Sequence, residues 1–370
     1  MTFTVGDICA FMDAWAPPGW AYEWDRVGLQ VGSVTQPVTK VLVCLTVTPK
    51  AINAAKRKRA SMIIAHHPLI WTPLTALRSD DPQTRLCLDL CQSGIACFAA
   101  HTNLDVAPDG VNAALAETLG LRQREILFRE KHLRQVKLIT FVPETHLDAV
   151  RNTLAHAGAG IIGDYTHCSF YSPGTGTFLP GADSNPFVGD KETMNEEPEL
   201  RLEMILDHAR LGKVLRALYA AHPYEEPAYD LIPLENVNDQ AGLGQIGMLK
   251  KNMPLRSFAS FVREALATPH VTVHGAGKRT VRRVAVAGGS GGGLIARLPD
   301  DTDVFVTGDV GYHHAEMARL RGIACIDAGH VATEQPVVAE IATRLRHAFP
   351  ALSATAFNEK EESVVITASD

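Results

Sequence analysis

Apolar positions fall in short blocks separated by stretches of helical periodicity, and the blocks recur in the same order at the two ends of the chain. Residues 41–45 (Val-Leu-Val-Cys-Leu) form one such block, with a helical stretch near 49–59 behind it. Residues 62–65 are the next block, 82–92 the next helix, 95–99 a third block and 110–119 a third helix. Blocks of four or five apolar residues bounded by turns, alternating with longer amphipathic segments, predict a sheet covered by helices on both faces. The last third repeats the order, with a strand at 283–287, a Gly-rich turn, a helix, a strand at 304–306, a helix near 314–320 and a strand at 323–326. An internal duplication would carry two sets of strand ends to one crevice, where open α/β sheets place their ligands.

Between the copies, from about 134 to 233, the pattern changes. A strand at 136–142 and a helix at 145–158 lead into a Gly, Pro and Ser-rich stretch at 171–185; a strand at 200–206, a helix at 209–221 and a strand at 228–232 follow. That order fits a small split βαβ, ferredoxin-like sandwich inserted into the larger domain. The acidic run 190–199 reads as an exposed loop with no chemistry in it. The expected fold is therefore α/β: a duplicated sheet-and-helix domain with an inserted ferredoxin-like α+β domain, divided at 1–130, 131–245 and 246–370.

With 370 residues, 46% of them apolar and 21% charged, the chain has an ordinary soluble composition and is too long for one small core. The net charge is −6, and the dense basic cluster Lys56-Arg57-Lys58-Arg59 sits between a helix and the next strand. It reads as a solvated helix end or, more sharply, as a phosphate anchor. Without a long positive surface, nucleic acid is not an expected partner. No apolar run reaches the ~20 residues that cross a bilayer, and the first ten residues lack the basic start and apolar core of a signal peptide, so no membrane partner and a cytoplasmic location are expected. Seven irregularly spaced cysteines argue for reduced thiols over a disulfide framework. Cys87, Cys91 and Cys97 read as apolar filler, not as a thiolate site.

Candidate chemistry lies at the strand ends. Gly94-Ile95-Ala96-Cys97 leads to His101 and then Asp105, and Gly322-Ile323-Ala324-Cys325 leads to His330 and then Glu334. Each is an apolar strand ending in a histidine, with a carboxylate four residues on. The pair His66-His67 closes another apolar run. Imidazole and carboxylate on rigid strand ends suit a divalent cation. Adjacent histidines on extended backbone diverge, so His66 and His67 would serve two ions side by side more readily than chelate one. The spacing from His330 to Glu334 suits the first turn of a helix, with Thr333 as its cap. Glu334 could then bridge two cations, and Asp105 would be a terminal ligand from the earlier copy. His101, the counterpart of His330, is either a ligand or a donor behind the ligands. Each histidine alone would be an ordinary core or surface residue; their common position at strand ends carries the metal reading.

Two further features bear on function. Gly288-Gly289-Ser290-Gly291-Gly292-Gly293 follows a strand and precedes a helix. Its amides could cradle a phosphate, although the stretch lacks the Lys and Ser/Thr of a P-loop, and a close-packed turn would need the same glycines. His222-Pro223-Tyr224-Glu225-Glu226, between a helix and a strand of the insert, reads as a turn or as a docking surface.

His66-His67-Pro68, His101-Thr102-Asn103-Leu104-Asp105, Thr307-Gly308-Asp309 with His313, and Asp327-Ala328-Gly329-His330 to Glu334 together resemble the Nif-three-like dinuclear metal-centre family, whose members are labelled GTP cyclohydrolase I type 2 homologues. Trp24-Asp25-Arg26-Val27-Gly28-Leu29-Gln30-Val31-Gly32 is similar to that family's opening motif, with Arg26 where the pattern has Asn. The resemblance spans nearly the whole chain and implies that the insert is similar to the PII and CutA proteins. It implies one ion on His67, Asp105 and Glu334, a second on His66, His330 and the same Glu334, and trimers stacked into hexameric rings. His101, behind the ligands, and His313, with His314 at the crevice mouth, are the expected catalytic proton carriers. Two divalent ions per chain (Zn²⁺, Fe²⁺ or Mn²⁺) would make a hydrolase acting on a small molecule, a nucleotide or other phosphorylated compound, by attack at a purine ring or at a phosphate ester. The alternative is a metal-binding regulatory ring without turnover, its insert sensing a small molecule or docking a partner.

Overall fold

The computed structural model describes residues 3–130, 133–237, 241–275 and 280–358. It is mixed α/β and divides into two compact units, Met1–Phe128 with Gly242–Asp370, and Arg129–Ala241. A boundary at 245 would cut the strand Leu243–Pro254, which belongs wholly to the first unit.

The two larger sheets of the first unit share a plan. In one, Lys40–Cys44, Met62–Ala65 and Ala96–Ala99 run parallel, with Gly28–Val31 antiparallel beside the third of them and Ser353–Ala356 on the far edge. In the other, Thr280–Ser290, Val304–Gly308 and Ala324–Asp327 run parallel, again with a short antiparallel strand, Thr272–His274, beside the third. Leu243–Pro254 and Arg122–Phe128 extend this second sheet. Alternation along the strands divides their side chains between two cores. Val284, Val286, Val304, Val306 and Ile326 pack with Leu115 and Phe258, while Ala285, Ala287, Phe305 and Cys325 pack with Ile295 and Leu298. Burial on both faces is why the central residues of these strands are apolar.

The helix Pro49–Lys58 starts at Thr48, whose hydroxyl accepts the Ala51 amide, and ends with Lys56, Arg57 and Lys58 in its last turn and Arg59 in the left-handed region (φ 56°). The basic cluster is thus a helix C-terminus, where cations meet the negative end of the backbone dipole. The helix His330–Ala348 packs against strands of both sheets. It starts earlier than Thr333 would have capped it, since Gly329 (φ 88°) is the cap. Thr333 lies in the first turn, where its hydroxyl donates to a backbone carbonyl and accepts the Gly289 amide.

In the second unit an antiparallel sheet takes the order Tyr229–Val237, Arg134–Val142, Asn195–Asp207, Phe170–Phe178, with helices Leu147–Ala157 and Leu211–Ala221. Two segments depart from expectation. The Gly, Pro and Ser-rich stretch contains the strand Phe170–Phe178, and the acidic run flows into the strand Asn195–Asp207, which pairs with it. Pro173 is tolerated because its strand is an edge, and Pro198 because its own strand has a single neighbour there, the second pairing beginning only at Leu200. Among the described residues, no helix is long and apolar enough to cross a membrane.

Candidate metal centre

Three parallel strands in each of the first unit's two larger sheets end at one cluster of side chains. Thr46, His66 with His67, and His101 follow the three strands of the first sheet; Ser290, Asp309 and His330 lie at or just beyond the ends of the three in the second. Glu334 reaches the same place from the first turn of the helix His330–Ala348. Its Oε1 lies 3.6 Å from His66 Nε2 and 3.2 Å from His330 Nε2, and its Oε2 lies 2.9 Å from His67 Nε2. Asp105, at the end of the short helix Thr102–Asp105, places Oδ1 3.6 Å from His66 Nε2. The segments expected to converge are therefore together. His66 and His67 do not point apart: their ring centroids are 5.0 Å apart, and each faces a different oxygen of one carboxylate. Among the described residues, donor atoms lie within 4.8 Å of one another in each of two groups, His66 with His67 and His101, and His67 with His330 and Glu334.

Each imidazole is held through Nδ1. His66 donates to the Ala100 carbonyl (2.8 Å), His101 to Asp25 (3.0 Å) and His330 to Asp309 (2.7 Å), which also accepts from Ser290 Oγ. His67 Nδ1 meets the Thr46 hydroxyl at 2.8 Å. Locking Nδ1 leaves Nε2 for the interior, the arrangement that orients metal-binding histidines. His67 with Nε2–H on Glu334 takes a hydrogen bond from Thr46; a cation in place of that proton would reverse it, which a hydroxyl permits.

Charge in the cluster is unbalanced in a particular way. His66 is fully buried, and with its proton on Nδ1 its Nε2 has no hydrogen-bond partner while facing oxygens of Glu334 and Asp105. A lone pair aimed at two carboxylates is unfavourable unless a positive charge sits between them. Burial opposes protonation of His66, yet Glu334 and Asp105 outweigh it and raise the ring to about 9. His330 also rises to about 9, through its hydrogen bond to Glu334 and with Asp309 behind it. Burial keeps His67 low. Burial also lifts Asp105 to about 6 against the pull of His66. Glu334 lies well below the carboxylate range because His66, His330 and His67 outweigh its burial. Burial likewise opposes ionisation of Asp25, but hydrogen bonds from His101 and Thr102 bring it to about 2. The cluster thus attracts cations to the Nε2 positions, and neutral imidazole with carboxylate is the donor set divalent zinc, iron or manganese accepts.

The glycine stretch serves this cluster differently from the phosphate cradle it suggested. The amides of Gly288, Gly289 and Gly291 are taken by Asn112 Oδ1, Thr333 Oγ1 and Thr307 Oγ1, so none of the three faces a ligand. A Cβ on Gly289 (φ 67°) would stand 2.3 Å from Glu334 Oε1. The glycines let the helix bring its carboxylate in. His313 lies away from the donor groups, exposed on the helix Tyr312–Leu320 with its ring against Tyr312, and His314 packs over Gly292.

Residues 3–362 match the family model described as Duf34/NIF3 (NGG1p interacting factor 3). The chain belongs to the DUF34/NIF3 family. Among its relatives, a protein of Halalkalibacterium halodurans named "GTP cyclohydrolase 1 type 2 homolog" is 41% identical over 324 residues, 87% of each chain. One of the same name from Bacillus subtilis is 39% identical over 326 residues, 88% of this chain and 87% of that one. A crystal structure of a Bacillus cereus protein related to NIF3 is 37% identical, covers 98% of this chain and 99% of that one, and superposes with a TM-score of 0.79.

Asp25, Asp309, Thr46 and Ser290, which fix the histidine rings of this DUF34/NIF3 protein, have no sequence signal as a set. Asp25 and Asp309 do lie inside the opening motif and the Thr307-Gly308-Asp309 motif.

Proposed function

We propose that the cluster is a two-metal hydrolytic centre acting on a nucleotide or other phosphorylated small molecule. The observation that carries this reading is the buried His66 Nε2, which has no hydrogen-bond partner and stands between oxygens of Glu334 and Asp105, a place for a positive charge. His66, His67, His330, Glu334 and Asp105 would hold the ions, with His66 and His330 beside Oε1 of Glu334, His67 beside its Oε2 and Asp105 beside His66. Two cations so held lower the pKa of water and supply a nucleophile at neutral pH. The chain's own part is positional. Ala100, Thr46 and Asp309 fix the rings of His66, His67 and His330, and Asp25 fixes His101, which would carry a proton at the edge of the site. His313, exposed on the helix Tyr312–Leu320, would act only at the crevice mouth. The names of the relatives support GTP as the first compound to try.

The test is elemental analysis of the purified protein together with a screen of GTP, other nucleotides and phosphate esters. About two divalent ions per chain and turnover that Asp105→Asn abolishes with the fold intact are expected. A protein that takes up no metal would end this reading.

A second reading, a metal-binding regulatory protein without turnover, is supported by a cavity of about 570 Å³ in the insert. Phe141, Pro173, Phe178, Phe187 and Tyr224 line it, with Glu199 and Glu225 at hand. The insert's strand order also supports its likeness to PII and CutA proteins, and with it assembly into trimers and hexamers, which light scattering on the whole protein tests. Metal uptake with no turnover on any nucleotide would favour this alternative.

A further inference from the structure

Two of the chain's four tryptophans, Trp24 and Trp71, are 58% and 41% exposed, and both stand against His101. The other two are engaged: Trp15 donates to Asp109 and lies under Arg344, and Trp20 is buried. Trp24 and Trp71 are near-parallel, 16° between planes with centroids 6.3 Å apart, and Tyr22 continues the row at 4° and 5.9 Å. Both meet His101 edge-on, at 6.1 and 5.2 Å, and His101 meets His66 at 5.2 Å. A continuous path of rings thus runs from the exposed pair into the cluster.

The pair is also held firmly. Trp24 precedes Asp25, which accepts from His101 Nδ1 and from the amide and hydroxyl of Thr102. Trp71 follows Leu69 and Ile70, whose amides donate to Gln30 Oε1 at 2.7 and 3.0 Å, while Gln30 Nε2 donates back to the Ile70 carbonyl. Large aromatic rings left in water on hydrogen-bonded backbone have the properties of a preorganised stacking surface, on which any flat π-system gains contact at little entropic cost.

We propose that Trp24 and Trp71 are a stacking platform for the planar heteroaromatic ring of the substrate, so that this site takes nucleotides in preference to simple sugar phosphates or aliphatic esters. The proposal rests on the metal-centre reading above and assigns specificity to residues outside the ligand set. Trp24 and Trp71 are positioning residues: they select and orient the ring beside His101 and hold no metal.

The test uses the metal-loaded full chain, with GMP and ribose 5-phosphate as probes, by calorimetry and by tryptophan fluorescence. GMP should quench the fluorescence and bind more tightly than ribose 5-phosphate. Trp24→Ala and Trp71→Ala should weaken GMP by roughly ten- to a hundredfold each, leave ribose 5-phosphate and metal content unchanged, and Trp24→Phe should restore most of the loss. Equal binding of the two probes by the native protein, GMP affinity untouched in both alanine variants, or no GMP binding at all would overturn the platform. A change of oligomeric state in the variants with ligand affinity intact would overturn it too, identifying the rings as a contact between copies. Metal content is read separately, so loss of the metal-centre reading and loss of the platform give different results.

Discussion

His66 is the residue on which the charge of the cluster turns. Its Nδ1–H is committed to Ala100, so whatever sits at Nε2, proton or metal, must reconcile it with two carboxylates. With His66 and His330 both raised to about 9, a cation entering at neutral pH displaces a proton from each ring, and below about 6 it must also displace one from Asp105. Apparent metal affinity should therefore rise with pH across this range and fall on acidification. Calorimetric titration with zinc in buffers of different ionisation enthalpy should show net proton release, and an enthalpy independent of the buffer would refute the assignment. Asp25 gives a second prediction of opposite setting. Its carboxyl is depressed from an ordinary 3.8 to about 2, so the stability it contributes is fully present above its unfolded value and is lost as pH falls through its folded one. The contribution is ~2 kcal/mol at pH 7. Asp25→Asn should cost that much in urea unfolding at pH 7 and progressively less towards pH 2. The ligand candidates were legible because histidine and carboxylate at strand ends stand out against apolar runs. Asp25 and Thr46 were not, since a residue that acts by holding another ring has only a polar side chain to show for it.

At the scale of elements, the decisive meeting is between the end of the strand Thr280–Ser290 and the start of the helix His330–Ala348. Each glycine there permits a specific approach: Gly288 to Val111, Gly289 to Glu334, Gly291 to Thr307. Gly289→Ala would combine a left-handed φ with a methyl 2.3 Å from the Glu334 carboxylate, whereas Gly293 has open space around it. Gly289→Ala should lower metal content and destabilise by ~1 kcal/mol or more, and Gly293→Ala should bind metal as the native chain does. Equal metal content in the two variants would mean that the turn does not position Glu334. The strands themselves were readable, since sheets buried on both faces need unbroken apolar runs. The edge strand Phe170–Phe178 was not, because glycine and proline at an edge cost little and look like a loop. The same buried centres explain the thiols. Cys97 and Cys325, at matching places in the two sheets, are pushed by burial to about 12, and Cys9, Cys44 and Cys87 are buried as well. Titration with a chromogenic disulfide in native buffer should count exposed Cys91 quickly and half-buried Cys168 more slowly, with the other five appearing only on unfolding.

At the scale of the whole molecule, the cluster joins segments far apart in sequence within one compact unit. His66, His67 and Asp105 come from the first sheet's strand ends and connections, His330 and Glu334 from the helix that packs on both sheets. The repeated order of apolar runs forecast that such ends would meet, and the spacing from His330 to Glu334 pointed to the helix that meets them, but not to its packing on both sheets. That depended on long-range packing, to which local periodicity is blind. A ligand held by groups from both sheets binds the folded unit and not the unfolded chain, so it stabilises that unit by mass action, ~4 kcal/mol when free metal stands at a thousand times its dissociation constant. The insert Arg129–Ala241 is a separate compact unit with its own core around Leu138, Val150, Leu202 and Val214. Chelation should therefore act selectively. In hydrogen exchange on the whole protein, stripping metal should speed exchange in Met62–Ala65, Ala96–Ala99 and the first turns of His330–Ala348, and leave Arg134–Val142 and Leu211–Ala221 as protected as before. Uniform loss of protection would mean that metal supports the fold as a whole. No change anywhere would mean that the imidazoles and carboxylates of the cluster hold only protons.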